Sequence, residues 1–149
     1  MRQAETALKD GRLDEAFELA STQDVRSHRR GQDLVGRLVR ALSLRGREHL
    51  EAGRLTQAST DCDKATRLGG NLPEVAELRA ALERAAAARQ DQDRRKAQAI
   101  GSAREHIHNG QLSVGGQWLA NVDDTHRADT LRRELEVRRG EVESTLARA

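Results

Sequence analysis

Apolar positions recur along this chain at intervals of three and four residues, with charged side chains between them, which is the period of an amphipathic helix. One stripe reads Val75, Leu78, Leu82 and Ala85, fades through AAAARQDQDRRKAQA (85–99), and returns at Ile100, Ala103 and Ile107. Asn71 is placed to cap this segment, with Glu74 three residues on and Pro73 in the first turn, where its missing N–H does no harm. As one helix, Leu72 to His108 would run about 55 Å at 1.5 Å per residue. Its polar middle would then project into solvent or bridge two small cores. A break between Gln90 and Asp93 is the competing reading. A second stripe, from near Asp33 to Ala52, turns Leu34, Leu38, Leu42 and Leu50 inward, with Gly31 and Gly36 weakening its start. A third, from about Thr125 to Arg148, carries Ala128, Leu131, Leu135, Val142 and Leu146 on one side and charges elsewhere. The alternating runs of β-branched and aromatic residues that strands require are absent.

Three segments repeat one pattern when their glycines are superimposed: AETALKDGRLDEA (4–16), GREHLEAGRLTQA (46–58) and AREHIHNGQLSVG (103–115). Each has a small residue seven positions before the glycine (Ala4, Gly46, Ala103) and another five after it (Ala16, Ala58, Gly115). The spacing predicts a helix that ends at Gly11, Gly53 or Gly110, where glycine adopts the left-handed conformation at no steric cost. A second helix follows almost at once. The paired small residues mark where the two antiparallel helices cross, and Leu13, Leu55 and Leu112 close the turn end of each hairpin.

These segments resemble the tetratricopeptide repeat, a helix–turn–helix unit that stacks into a solenoid. In the middle unit Gly46 takes the place of the small residue of the first helix and His49 that of an aromatic. Gly53 falls at the turn, Ala58 and Ala65 at the small positions of the second helix, and Cys62 where a bulky aromatic is common. The resemblance covers about residues 1–20, 39–70 and 96–122. The glycines lie 42 and 57 residues apart, against a family period of about 34, so the units carry lengthened or additional helices. The resemblance therefore implies a single all-α domain over 1–149. Its architecture would be an antiparallel helix-hairpin solenoid with one or two unusually long helices, closed by a capping helix at about 125–148 with a polar outer face.

Composition adds to this picture in two ways. The 149 residues include only two aromatics, Phe17 and Trp118, while Ala, Leu, Arg, Glu and Gln dominate, all good helix formers. Hairpins without bulky aromatics must pack through small side chains at short range. The charge is near balance, with 26 Lys and Arg against 24 Asp and Glu, and it stays near balance in each third of the chain. No part builds the field of a nucleic-acid footprint, so Arg29-Arg30 and Arg94-Arg95-Lys96 read as solvated helix faces and nucleic acid is not an expected partner. No apolar run approaches the roughly 18 residues of a membrane span. A cytoplasmic protein without membrane contact is the expectation.

Candidate chemistry is sparse. His106 and His108, two apart, point away from each other on a helix, and His28, His49 and His126 have no second ligand at i+3 or i+4. His49 and His106 are read as packing residues at equivalent repeat positions. Cys62 is alone, so no disulfide forms within the chain, and it is read as a small buried residue in preference to a reactive thiol. Asp61-Cys62-Asp63 and Asp123-Asp124 are read as a solvated helix face and a helix start. No metal, cofactor or catalytic constellation is identified, and no enzyme activity is expected.

The resemblance places Arg47 and Arg104 on the groove side of the first helix of their hairpins, with Arg40 and Ile107 as neighbours. Arginine pairs two-pronged with carboxylate or phosphate, which suits an acidic protein or peptide partner. Pairing along the same helix, as of Arg47 with Glu51, is the alternative. Two functions follow as expectations. The first is a non-enzymatic interaction module or scaffold, holding a partner helix or extended segment in a groove between stacked hairpins. The alternative is a structural or self-assembling protein that forms homo-oligomers through its long amphipathic helices.

Overall fold

The computed structural model describes residues 1–22, 25, 27–123 and 125–149. Among them the chain is all-α, with seven helices: α1 (Arg2–Lys9), α2 (Leu13–Ala20), α3 (Arg29–Glu51), α4 (Leu55–Gly69), α5 (Pro73–His108), α6 (Leu112–Ala120) and α7 (His126–Arg148). Contacts divide the chain into two units, Met1–Ala87 and Ala88–Ala149.

Three turns of the same construction organise both units. Gly11, Gly53 and Gly110 have φ of 76°, 74° and 78°, and no other described residue has a positive φ. At each, the glycine N–H donates to the carbonyl three residues back, and the next N–H reaches five back. The bonds are Gly53 to Leu50 at 3.0 Å and Arg54 to His49 at 2.8 Å. The matching pairs are Gly11 to Leu8 with Arg12 to Ala7, and Gly110 to Ile107 with Gln111 to His106. This double closure satisfies carbonyls that a helix end leaves without partners, and it needs a left-handed residue between them. The following residue, Arg12, Arg54 or Gln111, starts the next helix at once with ψ near 70°.

In the first unit, α3 and α4 run antiparallel. A Cβ placed on Gly46 would lie 3.4 Å from the Asp61 Cβ, and one on Gly69 would lie 3.3 Å from Val39 Cγ2. The two sites pair residues of rising and falling number, as an antiparallel crossing must. The first part of α5 instead runs in the same direction as α3: Arg40 meets Glu74 and Arg47 meets Glu77, while Gly46 sits beneath Leu78. The core is made from Ala7, Ala16, Phe17, Ala20, Leu38, Val39, Leu42, Ala65 and Val75. A smaller cluster of Ala4, Val25 and Leu34 lies beside it. Leu34, Leu38 and Leu42 are fully buried, a stabilisation of about 1.5–3 kcal/mol each relative to exposure.

The second helix of the sequence reading starts earlier than expected, at Arg29 and not near Asp33. Gly31 is the reason: a Cβ there would fall 1.5 Å from the Val25 carbonyl oxygen, so glycine admits a close backbone approach that outweighs its poor helix propensity. The helix of the first stripe, α5, starts at Pro73. Leu72, in place of Asn71, precedes the first turn and accepts from the Val75 and Ala76 N–H groups. From Pro73 to His108 the helix is unbroken, and each of residues 86–95 is exposed.

In the second unit, the end of α5, α6 and α7 enclose Ile100, Ala103, Ile107, Leu119, Val122, Ala128, Leu131 and Leu135. Thr125 caps α7 by accepting from the Ala128 N–H at 3.2 Å. Two arginines of α7 complete the ends of its neighbours. Arg132 donates to the carbonyls of Leu119 (3.1 Å) and Val122 (2.7 Å), and Arg138 to that of Ile107 (2.6 Å). Cations at helix C-termini are favoured by both the open carbonyls and the helix dipole. Val142 and Leu146, which the sequence places on the inward stripe, are exposed. That stripe is covered only as far as Leu135.

Candidate functional site

Four residues were nominated as partner contacts from the sequence, and the structure treats them differently. Arg40 Nε lies 3.3 Å from Glu74 Oε1, and Arg47 is paired with Glu77. Both arginines therefore reach from α3 across to α5 and do not pair along their own helix. Arg104 is exposed on α5 in the second unit. Ile107 is a correction: it is 1% exposed and packs among Ala103, Leu119 and Leu112. A side chain placed opposite Gly115, with its Cγ1 2.6 Å from where a Cβ would stand, is enclosed by its own hairpin and cannot meet a partner.

Around Arg47 an open groove of about 470 Å³ separates the end of α3 from α5. Its floor is Leu50, Ala80 and Ala81. Its rims carry Arg47 and Arg84 together with Glu51 and Glu77. The volume lies within the range of small binding clefts, and the two alanines let it form by leaving α5 without bulk at that level. Arg84 and the alanines escaped the sequence reading because Ala80 and Ala81 carry no charge or motif. Only the shared direction of α3 and α5 turns them into a floor.

A second cluster, which sequence reasoning missed, joins α2, α3 and α4. Arg45 grips Asp61 two-pronged, Nε to Oδ2 at 2.9 Å and Nη2 to Oδ1 at 2.5 Å. The same Nη2 reaches Asp14 Oδ1 at 2.8 Å, where Lys64 Nζ also donates at 2.9 Å. His49 Nε2 stands 3.7 Å from Asp61 Oδ2, and His49 Nδ1 accepts from Arg54 Nε at 3.0 Å. Asp14, Arg45, His49, Asp61 and Lys64 border a pocket of about 220 Å³ with Gln57 and Thr60. The reading of Asp61 as a solvated face is corrected, since its side chain is 3% exposed, whereas Asp63 is exposed.

The electrostatics of this cluster follow from its hydrogen bonds. The bonds from Arg45 and then Lys64 lower Asp14 from 3.8 to about 2, against a smaller opposing effect of burial. Asp61, and next Asp14, raise Arg45 above its ordinary value. Taking a carboxylate out of water is costly unless it is paired. With both Asp61 oxygens engaged, the carboxylate acts as a tie between α3 and α4. Asp14 extends that tie to α2.

The repeat histidines have related roles. His106 Nδ1 donates to Gln111 Oε1 at 2.5 Å, five residues on, as Arg54 stands five after His49. Each ring braces the residue that follows its turn glycine. Cys62 is buried, and burial pushes its thiol up, away from the reactive thiolate. Lys64 Nζ lies 5.5 Å from the centre of the Phe17 ring, a cation–π distance. Among the described residues, no three of His, Cys, Asp and Glu come together as metal ligands. No described helix is long and apolar enough to cross a membrane.

Residues at the ends of the basic clusters also have local work. Lys96 Nζ pairs with Asp123 at 3.2 Å, while Asp124 of the acidic pair lies outside the described residues. Neither family models, nor curated proteins, nor solved structures provide a match to the chain.

Proposed function

We propose that the chain is a non-enzymatic protein-interaction module of the tetratricopeptide-repeat type. It holds a segment of a partner protein in the groove between α3 and the first part of α5. The observation that carries the reading is the groove itself, an uncovered apolar floor of Leu50, Ala80 and Ala81 edged by Arg47 and Arg84. Two helices running in the same direction, with the intervening helix on one side, leave such a channel open along the other. A partner side chain of small apolar type fits the alanine floor. A partner carboxylate competes with Glu77 for Arg47, because an exposed pair of this kind is held weakly. Arg104, on the corresponding helix of the third hairpin, is the candidate contact of the second unit.

Selection from a displayed library of random peptides tests the reading, followed by titration of the enriched peptides. Peptides that combine an acidic residue with a small apolar one are expected to be enriched, and Arg47→Ala or Leu50→Glu to weaken their binding at least about tenfold. Arg30→Ala serves as the control. Enriched peptides that bind both groove variants as tightly as the unaltered protein, or a selection that enriches nothing, would overturn it.

A further inference from the structure

Trp118 is the only tryptophan in the chain, and it lies on the outside of α6, 43% exposed, with Val114 one turn before it at 38%. Large apolar side chains exposed side by side mark interaction surfaces more often than isolated ones do. Two further observations say what this surface faces.

The first is its place in the repeat. With Gly110 superimposed on Gly53, Val114 corresponds to Gln57 and Trp118 to Asp61. In the α3–α4 hairpin that face is turned toward a neighbouring helix. Gln57 and Asp61 border one pocket with Asp14 of α2, and Arg45 bonds Asp14 and Asp61 together. The face of α6 that carries Trp118 is thus the face on which the equivalent hairpin receives a helix, with apolar groups in place of polar ones.

The second is its charge. In a chain with 26 basic and 24 acidic residues, the 17 residues from His106 to Val122 contain no Asp, Glu, Lys or Arg. A two-fold pairing sets each group near the axis beside its own copy. Charged groups repel in that position, whereas a neutral patch suffers no such penalty. Trp118 and Val114 form the centre of such a patch, and Gln111 and Asn121 lie on the same side of the helix at its two ends.

We propose that this α6 face is a self-association surface, on which α6 of a second copy of this chain packs about a two-fold axis through Trp118 and Val114. A nine-residue helix buries less than a standard interface, so the dimer is a weak one, with a dissociation constant in or above the micromolar range.

The single tryptophan makes the test direct. Sedimentation equilibrium and Trp118 emission are followed together from about 10 μM to about 1 mM. The expected result is a mass that rises from one chain toward two, with an emission blue shift tracking the dimer fraction. Val114→Glu keeps the reporter and is expected to weaken association at least tenfold, leaving red emission at every concentration. Trp118→Glu should do the same by mass, and circular dichroism checks that both remain helical. The unaltered protein decides the matter even if a variant unfolds. A mass of one chain throughout, or blue emission independent of concentration, overturns the proposal. So does a dimer that survives both substitutions but is lost with Val142→Glu/Leu146→Glu, because the interface then lies on α7.

Discussion

Arg45 and Asp61 form a two-pronged ion pair whose carboxylate is 3% exposed and whose guanidinium is 28% exposed. The pair crosses from α3 to α4 beside Gly46, where a Cβ would stand 3.4 Å from that of Asp61. Taking charges out of water is costly, and removing one partner leaves the other unpaired in the interior. Arg45→Met is therefore expected to cost about 2–4 kcal/mol, slightly below the range for fully buried pairs because Arg45 retains some solvent contact. Arg45→Met/Asp61→Leu should recover much of that loss. Urea denaturation of the two variants checks the pair. A double variant no more stable than Arg45→Met would show that the carboxylate is not the source of the penalty.

Asp14 carries the pH dependence of the same network. Its folded value is about 2, below the ordinary 3.8. A carboxyl held below its unfolded value contributes stability that is fully present above the unfolded value and is lost as pH falls through the folded one. The contribution is thus complete above about pH 4 and declines toward pH 2. Asp14→Asn is expected to melt below the unaltered protein at pH 6, with the gap closing between pH 4 and pH 2. Melting temperatures across that range measure it. Asp14 is mostly exposed, so the gap should be small, and raising the salt concentration should shrink it further.

The turn glycines test the repeat. Gly11, Gly53 and Gly110 meet nothing within 4 Å of a built Cβ, so space does not require glycine there. Their positive φ does. Alanine at each is expected to destabilise by about 1–2 kcal/mol through the left-handed backbone alone. Asparagine, which tolerates that region better, should cost less than alanine. Chemical denaturation of the three alanine variants should give similar losses within each unit's own transition. A neutral Gly53→Ala would remove the left-handed turn from the account.

How much of this was legible beforehand depends on the range of the interaction. The left-handed turns were, because Gly11, Gly53 and Gly110 sit at one place in a local pattern and the backbone requirement is local too. The close approach of Gly115 to Ala103 was legible for the same reason. The Arg45–Asp61–Asp14 cluster was not. Its members lie 16 and 31 residues from Arg45, and Asp61 sits in a DCD run indistinguishable from a solvated face until Arg45 and Gly46 of α3 pack against it. The groove beside Arg47 depends on α3 and α5 running in one direction, a fact of tertiary structure. Ile107 was assigned to the wrong side of its helix, although Gly115, which makes room for it, was already in view. Gly31 was read as a weakness of α3, whereas the approach of the Val25 carbonyl makes it a requirement.

Gly46 and Gly115 stand near hairpin crossings, yet alanine should affect them unequally. At Gly46 the new methyl would lie 2.7 Å from Leu78 Cδ2, the end of a side chain that is fully buried but, unlike Ile107, not branched at Cβ. The gain in helix propensity of about 1 kcal/mol offsets part of the strain. At Gly115 it would lie 2.6 Å from Ile107 Cγ1 and 3.3 Å from the Ala103 carbonyl oxygen. Ile107 is branched at Cβ and stiff, it is enclosed in the core, and the carbonyl belongs to the helix backbone. Gly115→Ala is expected to cost about 1–3 kcal/mol, and Gly46→Ala less than about 1 kcal/mol. Pairing Gly115→Ala with Ile107→Ala, which removes the obstructing Cγ1, should cost less than the sum of the two single losses. Denaturation of the single and double variants separates the two effects, and equal losses at Gly46 and Gly115 would mean that the hairpins relax more freely than their close contacts imply.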